Sequence, residues 1–184
     1  MSSATNTTPA PTLRRATLQD AEAVSALGSS VFSATFGHSV TPQQLQAYLD
    51  ESYSVAATAR DIEDTQKDMT VAVAADGDNT TIIGFVLLTR GGSEPCVDDV
   101  ASKIELQRIY VSAAHHGQGV GKLLIHEAQR QAREQGFEHM WLGVWEENHK
   151  AAQVYAKLGF SVVGAHEFNV GGDIQMDRIM LKKL

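Results

Sequence analysis

The sequence predicts a mixed α/β fold, on three observations. The hydrophobic period changes along the chain, from helical spacing across residues 20–66 to strand-like alternation between Met69 and Thr89. The two strand-like runs there are separated by Asp76-Gly77-Asp78-Asn79, the composition of a hairpin turn. From Ile104 onward strands and helices alternate, so strand–helix–strand units occupy only the second half.

Each element has its own signal. Leu13 to Ala16 reads as a short first strand, and Asp20 opens a helix with Ala23, Val24, Leu27, Val31 and Phe32 on one stripe. Thr41-Pro42 starts a second helix, a capping hydroxyl followed by proline at the first helical position, with Leu45, Tyr48 and Leu49 as its apolar face. A third helix is expected from Ser54 to Gln66, then strands at Met69–Ala75 and Thr81–Thr89. After a Gly/Ser/Pro/Asp loop, the strand Ile104–Val111 is expected to point Leu106, Arg108 and Tyr110 one way and Glu105, Gln107, Ile109 and Val111 the other. Val120 to Gln135 is an amphipathic helix with Val120, Leu123, Leu124, Ala128 and Ala132 inward, stopped by Gly136. His139–Trp145 is a strand, Asn148 caps a helix that Gly159 ends, and Phe160–Gly164 and Asp173–Leu181 are closing strands paired across Gly171-Gly172. Residues 1–11 form a disordered tail on composition, and residues 12–184 one domain.

Composition narrows the function classes. The chain has 184 residues, 43% of them hydrophobic, and a net charge of -7. It carries no basic run to meet phosphates in series, so a nucleic-acid partner is not expected. No apolar run approaches the ~18 residues of a membrane span, and the N-terminus has no signal or transit character, so a cytoplasmic protein is expected. The single cysteine, Cys96, lies in a polar stretch and reads as a surface thiol suited to a reducing compartment. Acidic charge weakly favours a small cationic substrate. A homodimer stands open as its assembly.

The chemistry concentrates after the strand at Ile109-Tyr110-Val111. There Gly117, Gly119 and Gly121 alternate with Gln118 and Val120, preceded by His116 and followed by Lys122. A helix N-terminus has unpaired N–H groups and partial positive charge, and glycine lets phosphate oxygens reach those amides. The pattern reads as a pyrophosphate cradle; the plainer alternative is a strand–helix turn that merely needs glycine. It is not a phosphate loop of the nucleotidase kind, because Leu123 follows Gly121-Lys122. It is not a dinucleotide loop either, since the pattern is Gly-x-Gly-x-Gly on a late strand.

His116-Gly117-Gln118-Gly119-Val120-Gly121 resembles the acetyl-CoA loop Gln/Arg-x-x-Gly-x-Gly/Ala of GNAT acetyltransferases, with His116 where that family usually has Gln or Arg. Asn148, Ala151, Ala152, Tyr155 and Leu158-Gly159-Phe160 resemble the family's second motif. Glu105–Val111, Trp141–Glu146, Gly164–Phe168 and Asp177–Met180 further resemble the PaiA-type spermidine/spermine N-acetyltransferases, as do Thr35-Phe36, Thr41-Pro42 and Ala47–Leu49, with a longer loop at Gly91–Ser102. The resemblance implies the GNAT fold, α/β (α+β) with a mixed, mostly antiparallel central sheet flanked by helices. It also implies acetyl-CoA as cosubstrate, without a metal, and a polyamine acceptor.

The same resemblance implies roles. Tyr155 matches the general acid that protonates the departing thiolate, or else is a core aromatic. Glu105, 14 residues before Gly119, matches a catalytic glutamate of the family, or else is a solvated strand residue. Ile109, Tyr110 and Val111 would pair their backbone with the pantetheine arm, with Val111 N–H facing the oxygen on which negative charge develops. Asn148 would reach the cosubstrate, cap its helix, or both. Trp141 and Trp145 share a strand face and read as core, or else as a substrate cage. His115-His116 lacks a third ligand for a metal. Glu146, Glu147 and Asp177 are candidate anions for a cationic substrate, or else surface carboxylates. Three functions remain: a polyamine or small-amine acetyltransferase, a peptide, amino-acid or lysine acetyltransferase, and a non-catalytic acyl-CoA-binding regulator.

Overall fold

The computed structural model describes residues 10–76 and 79–184. The expected tail falls mainly on residues 1–9, and the turn between the first two long strands on residues 77 and 78; both lie outside the described residues. The elements are β1 (Thr12–Arg15), α1 (Ala21–Phe36), α2 (Pro42–Ser52), α3 (Val55–Glu63), β2 (Lys67–Asp76), β3 (Asn79–Thr89), β4 (Lys103–Val111), α4 (Val120–Glu134), β5 (His139–Trp145), α5 (His149–Lys157), β6 (Ser161–Val170) and β7 (Asp173–Lys183). One seven-stranded sheet runs β1-β2-β3-β4-β5-β7-β6, and β4–β5 is its parallel pair.

Local chemistry sets most boundaries. Thr41 accepts from Gln44 N–H while the Gln44 side chain accepts from Thr41 N–H, a reciprocal cap that fixes the start of α2. Ser54 caps α3, which ends at Glu63, three residues before the expected Gln66. Gly136 (φ +84°) and Gly159 (φ +90°) take the left-handed conformation that lets α4 and α5 stop. β6 is longer than expected because its pairing with β7 continues to Val170.

Two cores sandwich the sheet. On one face α4 sets Leu124, Ile125, Ala128 and Ala132 against Ile83, Ile104, Met140 and Leu142. Leu123, expected inward, is exposed; Ile125 takes its place in the stripe. On the other face α1 packs Val24 over Val71, Phe85 and Leu87, and Phe32 meets Tyr53 and Val170. Ala23, expected on that stripe, is exposed.

β4 departs from simple alternation. Its register against β3 slips between Leu87, opposite Arg108, and Leu88, opposite Leu106, so Gln107 is an extra residue. A bulge changes the phase of the period-two pattern. Leu106 therefore joins Ile109 and Val111 on the α4 side. Glu105 lies beside Trp141, whose ring packs with Val97 and Ile179 on the opposite side, the side to which Arg108 and Tyr110 also point. The expected split of β4 side chains is corrected accordingly.

A polar clip ties β1 to the turn before α1. Both Arg14 guanidinium nitrogens donate to Asp20, at 2.7 and 2.8 Å, and Thr17 N–H donates at 2.7 Å. The Arg14 bonds, foremost, hold the Asp20 carboxyl down at about 2. A carboxyl lowered by folding stabilises the fold above its unfolded value of about 4, and that contribution fades as pH falls toward 2. With Arg14 half in solvent, Asp20→Asn is expected to cost about 1–2 kcal/mol at pH 7 and much less at pH 2.5. Urea unfolding at the two pH values checks this; an equal loss at both would contradict it.

Candidate active site

β4 and β5 pair only from Lys103–Glu105 against His139–Trp141 and diverge beyond. The divergence opens a cavity of about 680 Å³ that runs from the N-terminus of α4, along the free edge of β4, to the β6–β7 hairpin. Buried backbone groups seek partners, so this edge suits an extended ligand.

At the α4 end, Gly117 (φ +75°) and Gly119 (φ +82°) hold conformations other residues resist, and a Cβ on either would meet nothing within 4 Å. The first helical amides have no partner within the helix, and the glycines leave them approachable. Val120, Gly121 and Lys122 line the same space. His116 Nε2 lies 2.9 Å from Val111 O, which gives the departing residue of the motif a contact of its own. Gln118 is turned away: its amide donates to Ala114 O at 3.1 Å, and it does not line the cavity.

In the middle, Ser112 N–H donates to Ile83 O of β3 at 2.8 Å. Strand alternation then directs Val111 N–H toward the gap. Asn148 Oδ1 accepts Ala151 N–H at 3.2 Å, so it caps α5 while also lining the cavity. Tyr155 lines it too; its ring packs edge-on to Phe160 at 5.9 Å. Burial, with a smaller contribution from Tyr110, pushes the Tyr155 phenol well up and keeps it a proton donor at neutral pH.

The far end is aromatic and ionisable. Phe36 lies 5.0 Å from Trp145, and Tyr48 and Phe168 complete the wall. Trp141 and Trp145 are buried, as expected of core, and also line the cavity. Burial first, then the negative charge of Glu94, raises the Glu105 carboxyl to about 7, against the pull of His166, Lys67 and Arg108. A carboxylate poised near neutrality is suited to take a proton. Asp177 faces the cavity, its carboxyl raised by burial. Glu146 and Glu147 are exposed and do not line it, so of their two readings the surface carboxylate describes them. Tyr110 contributes backbone, since its hydroxyl is engaged with that of Tyr53 at 2.6 Å. Among the described residues no cluster of three His, Cys, Asp or Glu could hold a metal.

Sequence reasoning missed Arg108, Tyr53 and His166. Arg108 donates to Asp61 at 2.7 Å and lies 4.7 Å over the Tyr53 ring. Its partners, Asp61 of α3 and Tyr53 just before it, lie more than 45 residues away and leave no local signal.

A helix N-terminus opened by glycines and joined to a split pair of parallel strands gives a site whose shape suits an extended ligand with an anionic end. The sequence profile described as the Acetyltransferase (GNAT) family matches residues 36–160, and the chain belongs to that family of N-acetyltransferases. Relatives include an uncharacterized N-acetyltransferase of Mycobacterium tuberculosis, 29% identical over 91% of this chain and 99% of that protein. A streptothricin acetyltransferase of Streptomyces lavendulae is 30% identical over 79% of this chain and 78% of its own length. A spermidine N(1)-acetyltransferase of Thermoplasma acidophilum is 23% identical over 90% and 95%. Among solved structures, the PaiA N-acetyltransferase of Thermoplasma acidophilum in complex with coenzyme A superposes with a TM-score of 0.74, at 23% identity, over 96% of this chain and 100% of that one.

Proposed function

We propose that this protein transfers the acetyl group of acetyl-CoA to a primary amine of a small cationic substrate, with a polyamine such as spermidine or spermine as first candidate. One observation carries the reading: a carboxylate raised to about 7, Glu105, shares a continuous cavity with the protonated phenol of Tyr155 and the glycine-opened amides of α4.

Acetyl-CoA supplies the acyl group as a thioester. Gly117, Gly119, Gly121 and Lys122 hold its phosphates, and the free edge at Ile109–Val111 holds its arm. Val111 N–H faces the carbonyl oxygen as negative charge develops there. Glu105 takes a proton from the incoming ammonium, freeing the nitrogen lone pair for attack. Tyr155 gives its proton to the sulfur as the carbon–sulfur bond breaks. The balance is one amide, one thiol and one proton released, with no covalent bond to the enzyme.

The polyamine reading is supported by the PaiA-type motifs, by the spermidine-named relative and by aromatic walls that suit a cation. The relative named for streptothricin keeps other amine acceptors in view. The assay is release of the free thiol from acetyl-CoA with spermidine, a short monoamine, an amino acid and a peptide. Spermidine should give the highest kcat/KM. A tenfold preference for the amino acid or peptide would overturn the polyamine reading. Thiol release with none of them, despite binding of acetyl-CoA, would favour a non-catalytic regulator.

A further inference from the structure

The segment between β3 and β4 packs against Glu105, Trp141 and β6. At Gly92 it comes so close to the strand that a Cβ there would sit 2.7 Å from Glu105 Oε2. Val97 anchors it among Trp141 and Ile179. Cys96 fills the space over Gly164 of β6, where an added Cβ would lie 2.6 Å from its Cβ and Sγ. Next to these anchors Glu94 reaches across to β6, with Oε1 2.8 Å from His166 Nδ1. The other ring nitrogen, Nε2, lies 3.7 Å from Asp177 Oδ2 of β7. Glu94 and His166 remain about a quarter exposed, so they stand between the buried carboxylates and solvent. Acetyl transfer as described above uses neither.

We propose that Glu94 and His166 form a clasp that holds this loop over Glu105 and shields its carboxyl from solvent. The catalytic consequence rests on reading Glu105 as the proton acceptor. Charged groups act on Glu105 from four elements: Glu94 on the loop, His166 on β6, Lys67 on β2 and Arg108 on β4; Asp177 on β7 lies against His166. Arg108 and Lys67 are both bound to Asp61, which ties down the cations on that side. The adjustable charges are therefore Glu94 and His166. Glu94 disfavours the Glu105 carboxylate more than His166 favours it. His166 acts through Glu105 and is a positioning residue.

Glu94 gives the sharper test. Glu94→Gln should lower the Glu105 midpoint by about half to one pH unit, because loss of the negative charge and entry of solvent act in the same direction. The double variant should also stay below the wild-type midpoint, because burial and Glu94 are the two largest causes of the raised value. Carboxyl carbon NMR of Glu105 in the free protein reads this without substrate. Hydrogen exchange across residues 93–100 should quicken in every variant as the clasp opens. A Glu94→Gln midpoint that does not fall, or unchanged exchange, would overturn the proposal. If His166→Gln fails to fold, the sign and size of the Glu94→Gln shift still decide it. The acidic limb of kcat/KM should follow the NMR midpoints. If the midpoints move as expected while that limb stays, the clasp stands and Glu105 loses its role as base.

Discussion

Tyr155→Phe should lower kcat by ~10²–10⁴-fold, the usual contribution of a positioned acid, while acetyl-CoA affinity stays within about twofold of the wild type. The substitution removes one oxygen. The ring keeps its packing against Phe160 and against the cluster beneath α4, so the walls of the cavity are unchanged. Burial holds the phenol protonated at neutral pH, and the variant loses that proton donor alone. Single-turnover rates and calorimetric titration with acetyl-CoA separate the two effects. A fall of less than threefold with chemistry limiting turnover would remove Tyr155 from the mechanism.

Gly119→Val should weaken acetyl-CoA binding by roughly 10–100-fold, the loss of one or two charge-assisted amide contacts. Two effects combine there. At φ +82° a β-branched residue is strained, by about 1–2 kcal/mol, and its side chain enters the open space beside the α4 amides. Gly136 separates them, because it has φ +84° and equally open surroundings at the far end of α4. Gly136→Val should melt a few degrees lower, as Gly119→Val does, yet keep its affinity. Equal affinity for the Gly119 and Gly136 variants, both folded, would show that the loop does not hold the phosphates.

How much of this was legible depends on how local each signal is. Thr41-Pro42, Ser54 and Asn148 predicted helix starts because a capping side chain bonds amides two or three residues away. The glycine loop was legible because its backbone demand is met by its own residues. Glu105 was picked out by its distance from that loop, but its chemistry was not, since the burial and the Glu94 charge that raise it come from the β3–β4 loop and the neighbouring strand. Glu146 and Glu147 read as well as Asp177 for a cationic substrate, and only Asp177 faces the cavity.

By itself the sequence determined the order of strands and helices, the phosphate-type loop and the motif residues Asn148 and Tyr155, because periodicity, capping and glycine conformations are written within a few neighbouring residues. The tertiary structure alone decided which face each β4 side chain takes, where β4 parts from β5, and that Glu94 meets His166 72 residues away. Register and bulges arise from pairing between distant strands, and pairing partners leave no periodic trace in either strand's own sequence.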